Sequence, residues 1–172
     1  NSIPYNLGSE FGYSVSLSSD GTILAVGARH FDVTSNQTYD EGAAFVYQYN
    51  GSSWVPLGGQ IDYVNLNGIS YNENSYFGYS VSLSSDGTIM AVGASSFDVD
   101  VNGTDRSIGA AFVYQYNGSS WVPLGGQIDY VNMNSIPYNL GSEFGYSVSL
   151  SSDGTILAVG ARHFDVTSNQ TY

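Results

Sequence analysis

One property of this chain constrains it more than any other: it repeats itself. Phe11-Gly12-Tyr13-Ser14-Val15-Ser16-Leu17-Ser18-Ser19-Asp20-Gly21-Thr22-Ile23 returns unchanged at Phe77 to Ile89 and at Phe144 to Ile156, at spacings of 66 and 67 residues. Gly42 to Asn65 returns unchanged at Gly109 to Asn132. A longer period lies over the short one, because Asn1 to Tyr39 is identical to Asn134 to Tyr172, 133 residues on. A fixed period means that one supersecondary unit recurs and that each copy buries its apolar faces against neighbours. The chain divides into the end of a preceding repeat (1–10), two whole repeats (11–76 and 77–143) and the first two strands of a third (144–172).

Each unit reads as four strands. Tyr13, Val15 and Leu17 alternate with serines, the period-2 pattern of a half-buried strand. Asp20-Gly21 marks a tight turn. Ile23 to Ala28 is apolar on both faces, as a strand covered on both sides must be. A polar loop over 29–42 leads to Ala43–Tyr49, with Phe45, Tyr47 and Tyr49 on one face. Asn50-Gly51 is the residue pair of a type I′ hairpin. The fourth strand, Trp54-Val55-Pro56-Leu57, carries a proline that cannot donate to a ladder, which places it on an edge. The expected fold is all-β: tandem four-stranded antiparallel blades, β-propeller-like, in an open array or as part of a closed propeller. A closed propeller takes four to eight blades, more than the 172 residues supply at 66 per unit.

Phe-Gly-Tyr-Ser-Val-Ser-Leu-Ser-Ser-Asp-Gly-Thr-Ile-Leu-Ala-Val-Gly-Ala (11–28), followed by Gly-Ala-Ala-Phe-Val-Tyr-Gln-Tyr-Asn-Gly-Ser-Ser-Trp (42–54), resembles the FG-GAP repeat. Such repeats form the blades of integrin-alpha-type propellers and of related bacterial and algal surface proteins. The resemblance covers essentially the whole chain. It implies a blade-like fold, an extracellular and often adhesive setting, and no catalysis.

Composition removes several function classes. The formal charge is −12, with no lysine and only Arg29, Arg106 and Arg162. Nucleic-acid binding needs a basic footprint that releases counterions, and an anionic membrane surface would repel this chain. No cysteine is present, which excludes disulfides, thiol nucleophiles and cysteine–zinc sites. No apolar run is long enough to span a bilayer, and Asn1 opens no signal peptide, so a secretion signal is expected upstream. The two histidines, His30 and His163, occupy one repeat position, where the second unit has Ser96, and no Gly-x-Ser-x-Gly elbow occurs. An enzyme is not expected.

Two kinds of site remain. Asp98-Val99-Asp100-Val101-Asn102-Gly103 opens like a calcium loop, and many FG-GAP blades bind calcium through a loop of this kind. Gly109 stands where an EF-hand has its closing glutamate, and the equivalent loop Asp32-Val33-Thr34-Ser35-Asn36-Gln37 keeps only the aspartate and the asparagine. Calcium at Asp98 and Asp100 therefore competes with a solvated acidic loop, and no cofactor is expected otherwise. The acceptor pattern Asn-x-Ser/Thr occurs at Asn36, Asn50, Asn102, Asn117 and Asn169. Between the two loops Thr34 becomes Asp100 and Gln37 becomes Gly103, yet Asn and Thr are retained at 36/102 and 38/104. That is what a glycosylation signal under selection looks like. At Asn50 and Asn117 the hairpin by itself also accounts for the asparagine.

The sequence thus points to an extracellular or cell-surface structural repeat protein, glycosylated, whose partners are identical copies or further repeats of its own chain. The alternative is an adhesive propeller module that binds a glycan or extracellular protein, with calcium. Nucleic acid and membrane insertion are not expected.

Overall fold

The computed structural model of the chain describes residues 8–33, 39–62, 73–100, 104–129 and 141–164. These residues are all-β, without helix. The first sheet contains β1 (Ser14–Leu17), β2 (Ile23–Ala28), β3 (Ala43–Tyr49) and β4 (Trp54–Pro56), hydrogen-bonded in that order and antiparallel throughout. In the second unit β5 (Phe77–Leu83) and β6 (Ile89–Ala94) are followed by a small hairpin, β7 (Asp98–Asp100) and β8 (Asp105–Ser107). The unit ends with β9 (Ala110–Tyr116) and β10 (Trp121–Pro123), and its main sheet runs β5-β6-β9-β10. β11 (Phe144–Leu150) and β12 (Leu157–Ala161) pair as the first two strands of the third unit. No sheet closes on itself among the described residues.

Local chemistry explains these boundaries. β1 stops where Ser18 begins a side-chain-closed turn. The Ser18 hydroxyl donates to Asp20 Oδ1 at 2.7 Å, and the same oxygen accepts the Thr22 N–H at 2.9 Å. Ile23 N–H then donates to Ser18 Oγ, and Gly21 takes the φ of +71° that the bend requires. The same bonds recur around Asp86 and Asp153. β4 and β10 lie on sheet edges, as Pro56 and Pro123 demand.

Two expectations are corrected. The β3–β4 connection is not a type I′ turn, which needs positive φ at both central residues. Tyr49 pairs with Trp54, so the loop is the four residues Asn50–Ser53, and only Gly51 in it has positive φ, +96°. Asn50 works through its side chain: Oδ1 accepts the N–H groups of Ser52 and Ser53. The segment after the second strand is not simply a polar loop. In the second unit it holds the β7–β8 hairpin, with Phe97 and Val99 buried, and in the first Phe31 is buried. Phe97 packs edge-on against Phe112, and Phe31 against Phe45.

The larger core cluster lies between sheets, and a smaller one of Ala28, Phe31, Ala43 and Phe45 lies within the first unit. On each sheet one face looks toward the next unit and one toward the preceding unit. The forward face is built from small groups: Ser14 and Ser16 on β1, Ala25 and Gly27 on β2, Ala44 and Val46 on β3, with Ile23 at one end. The backward face is large: Phe77, Val81 and Leu83 with Met90, Phe112, Tyr114 and Trp121. These pack with Ile23, Ala25, Ala44, Val46 and Ile61 of the first unit into one buried cluster. The two faces interlock because they differ in size.

Candidate functional site: the seam between units

The seam begins at the first strands. Ser14 Oγ donates to Gly78 O at 2.9 Å, and Ser80 Oγ donates to Gly145 O at the same distance. Leu83 N–H donates to Ser16 Oγ at 3.0 Å, and Leu150 N–H to Ser82 Oγ at 3.0 Å. At the turns, Ser19 N–H donates to Ser85 O and Ser85 N–H to Ser152 O, at 2.9 and 2.8 Å. The serines of the period-2 pattern are therefore not a solvent face. They are the bonding groups that join one first strand to the next.

Glycine makes this approach possible. A Cβ on Gly27 would lie 2.0 Å from Gly78 O, and one on Gly93 would lie 2.0 Å from Gly145 O. No side chain fits there. Gly78 and Gly145 have φ of +85° and +87° at register shifts opening β5 and β11, which turn each carbonyl toward the preceding unit.

At the far edge of the sheet the spacer is large. Trp121 is 3% exposed, and its Nε1–H donates to Leu57 O of the first unit at 3.0 Å. Its ring occupies the space over Gly58, where a Cβ would meet the ring at 2.9 Å. Consecutive sheets are thus separated by one serine hydroxyl at the first strand and by an indole at the fourth. This is a wedge.

The blade geometry is now defined, and residues 6–47 match the family model described as FG-GAP repeat. Residues 6–47 are an FG-GAP repeat. Residues 139–172 carry the same sequence as 6–39. No match was found among curated proteins. FG-GAP repeats are a repeat and binding module type, typically extracellular. Among the described residues no helix is long and apolar enough to cross a membrane.

The residues singled out in the sequence fall unevenly on these blades. Asn50 and Asn117 sit exposed on the β3–β4 and β9–β10 loops, at the edge opposite the first strands. In each, the hydroxyl of the serine two residues on donates to the asparagine Oδ1 at 2.9 Å, and Ser52 and Ser119 also place their N–H groups on it at 3.0 Å. Oδ1 is engaged, while Nδ2 is the atom a glycan would take. Asn36, Asn102 and Asn169 lie outside the described residues. Asp98 and Asp100 share one side of β7, opposite Ser107 and Asp105. Calcium takes about six to eight oxygens. Among the described residues no three His, Cys, Asp or Glu side chains gather to hold a metal, and the equivalent Asp32 spends Oδ1 on the N–H groups of Tyr39 and Asp40.

His30 packs against Tyr76 at the end of its own unit, its ring 5.1 Å away and near edge-on, with Nδ1 3.0 Å from Asp40 and Nε2 3.8 Å from Glu10. Arg29 Nε donates to Glu10 Oε2 at 2.6 Å. That bond holds the Glu10 carboxyl below its ordinary range. Sequence reading missed Arg29 and the tyrosines Tyr13 and Tyr79 as seam residues. Their only signal was recurrence at one repeat position, which core residues also show.

Proposed function

We propose that the chain is a segment of an extracellular structural scaffold, a non-catalytic run of FG-GAP blades that stack on further blades of the same kind into a fibre or surface assembly and carry N-glycans. One observation carries this reading. The seam between the first and second units is rebuilt between the second and third with the same atoms: Ser14–Gly78 and Ser80–Gly145, Ser16–Leu83 and Ser82–Leu150. Such a head-to-tail contact has no built-in stop, because each unit presents both halves of it. In the first unit Val15 is 62% exposed, whereas its equivalent Val81 is 8% exposed under the preceding blade. Further repeats or identical copies are the partners that fit this face. Glycans on Asn50 and Asn117 would stand at the outer edge, clear of the seam.

A second reading is favoured by the wedge. Sheets that approach closely at the first strand and are held apart at the fourth turn about an axis beside the first strands. Equal turns that close make a propeller, the form suited to an adhesive module binding a glycan or extracellular protein. Electron microscopy of the array separates the two. Continuous filaments are expected on the scaffold reading, and closed rings of uniform blade number would replace it with the adhesive one.

A further inference from the structure

The inner edge of the seam holds a ladder of tyrosines. Tyr13, Tyr79 and Tyr146 occupy one repeat position, each set by a turn in which its N–H donates to the carbonyl three residues back. The Tyr13 and Tyr79 rings lie 5.0 Å apart between centroids, and Tyr79 and Tyr146 also 5.0 Å apart. Arg162 Nη1 donates to the Tyr146 hydroxyl at 3.3 Å. The ladder stands at the open edge of β1, β5 and β11, and Tyr13 is 43% exposed. Arg29 lies over Tyr13 at 4.0 Å and reaches Tyr79 at 5.4 Å, while Arg162 lies over Tyr146 at 4.5 Å. Elsewhere on the sheets Tyr49 and Tyr116 face tryptophans, so these rungs differ in pairing tyrosine with tyrosine across a unit boundary.

Every contact described at such a boundary is non-covalent, and a chain without cysteine cannot close it with disulfides. We propose that Tyr13, Tyr79 and Tyr146 form an oxidative cross-linking site, at which a haem peroxidase using hydrogen peroxide joins consecutive blades through dityrosine. Each of two neighbouring rings gives up one electron and its phenolic proton. The two phenoxyl radicals form one carbon–carbon bond ortho to the oxygens, and the two ortho hydrogens shift to the oxygens and restore the phenols. One hydrogen peroxide takes up the two electrons and two protons and leaves as two waters. The open edge of the first strands gives each proton an exit to water, and the stack holds the partner ring in place before the radical forms. The proposal rests on the seam and is the same for a fibre or a ring.

The arginines make the test clean. Trypsin cleaves only after Arg29, Arg106 and Arg162, which puts Tyr13, Tyr79 and Tyr146 on three different peptides. The intact chain at micromolar concentration is treated with a haem peroxidase and hydrogen peroxide, and chains that still migrate as monomers under denaturing conditions are digested. Joined peptides 1–29 with 30–106, and 30–106 with 107–162, each lighter by two hydrogens, are expected, with fragmentation placing the bonds at Tyr13–Tyr79 and Tyr79–Tyr146. Tyr79→Phe keeps the ring and should abolish both bonds and reduce dityrosine fluorescence to background, while Tyr49→Phe should leave them unchanged. Far-UV circular dichroism checks that each variant is folded. Bonds at other tyrosines, bonds only between chains, or undiminished yield in a folded Tyr79→Phe would overturn the proposal. Should Tyr79→Phe not fold, the bond positions in the unaltered chain decide.

Discussion

Trp54 and Trp121 offer a measurement with its own control. They hold the same repeat position and have the same neighbour on their own sheet, Tyr49 or Tyr116, each with ring centroids 5.5 Å away. They differ only in what covers them: Trp54 is 42% exposed, and Trp121, under the preceding unit, is 3% exposed. About four-tenths of a side chain of roughly 250 Å², at about 25 cal/mol per Å², is on the order of 2.5 kcal/mol. Loss of the Trp121 bond to Leu57 O adds about 1 kcal/mol. Trp121→Ala should therefore destabilise the chain by roughly 3 kcal/mol more than Trp54→Ala, since the Tyr contact is lost in both and cancels. For a chain of this size that is about 6–12 °C in melting temperature. The assay is urea and thermal unfolding followed by far-UV circular dichroism, at a concentration where light scattering shows monomers. Equal costs for the two substitutions would refute the argument that the indole is a seam spacer.

Other outcomes follow from the same contacts. Gly93→Ala should destabilise by about 1–3 kcal/mol or more, because its Cβ meets Gly145 O, while Gly160→Ala meets only the movable Ser147 side chain and should cost less; calorimetry of the two variants checks the order. Asp20, Asp86 and Asp153 have carboxyls held low, first by the serine hydroxyl two residues back and then by the threonine N–H, Asp153 down to about 2. Their support of the turns is present above the ordinary value of 3.8 and is lost as pH falls through the folded value, so urea midpoints should drop on acidification from pH 4 toward 2. Peptides from the native source carrying Asn50 or Asn117 should show added hexose-containing mass, and bare peptides at both would remove the glycan assignment there. Chelator treatment should leave the melting temperature unchanged; a drop restored by calcium would show that Asp98 and Asp100 belong to a cage completed elsewhere.

Much of this architecture was legible because it is local. Alternation in Tyr13–Leu17, continuous apolarity in Ile23–Ala28 and proline in Trp54–Pro56 each follow from one strand's own pleat, and they placed the four strands and their order. The exact period also required that blades cover one another. What the sequence could not decide was how two sheets meet, since that depends on groups some 66 residues apart. Ser14 and Ser16 have the composition of a solvent face and become seam donors and acceptors only because Gly27 and Gly78 let the backbones touch. Tyr13 alternates as a core residue would and instead stands in a ladder, because the register shift at the start of the next first strand brings Tyr79 beside it. The Asn-Gly pair gave a hairpin but not its turn type, because the three N–H and O–H groups gathered on Asn50 Oδ1 favour the longer loop over the tight one. Local pattern chose the strands; the difference in size between forward and backward faces, visible only once they are packed, chose the wedge.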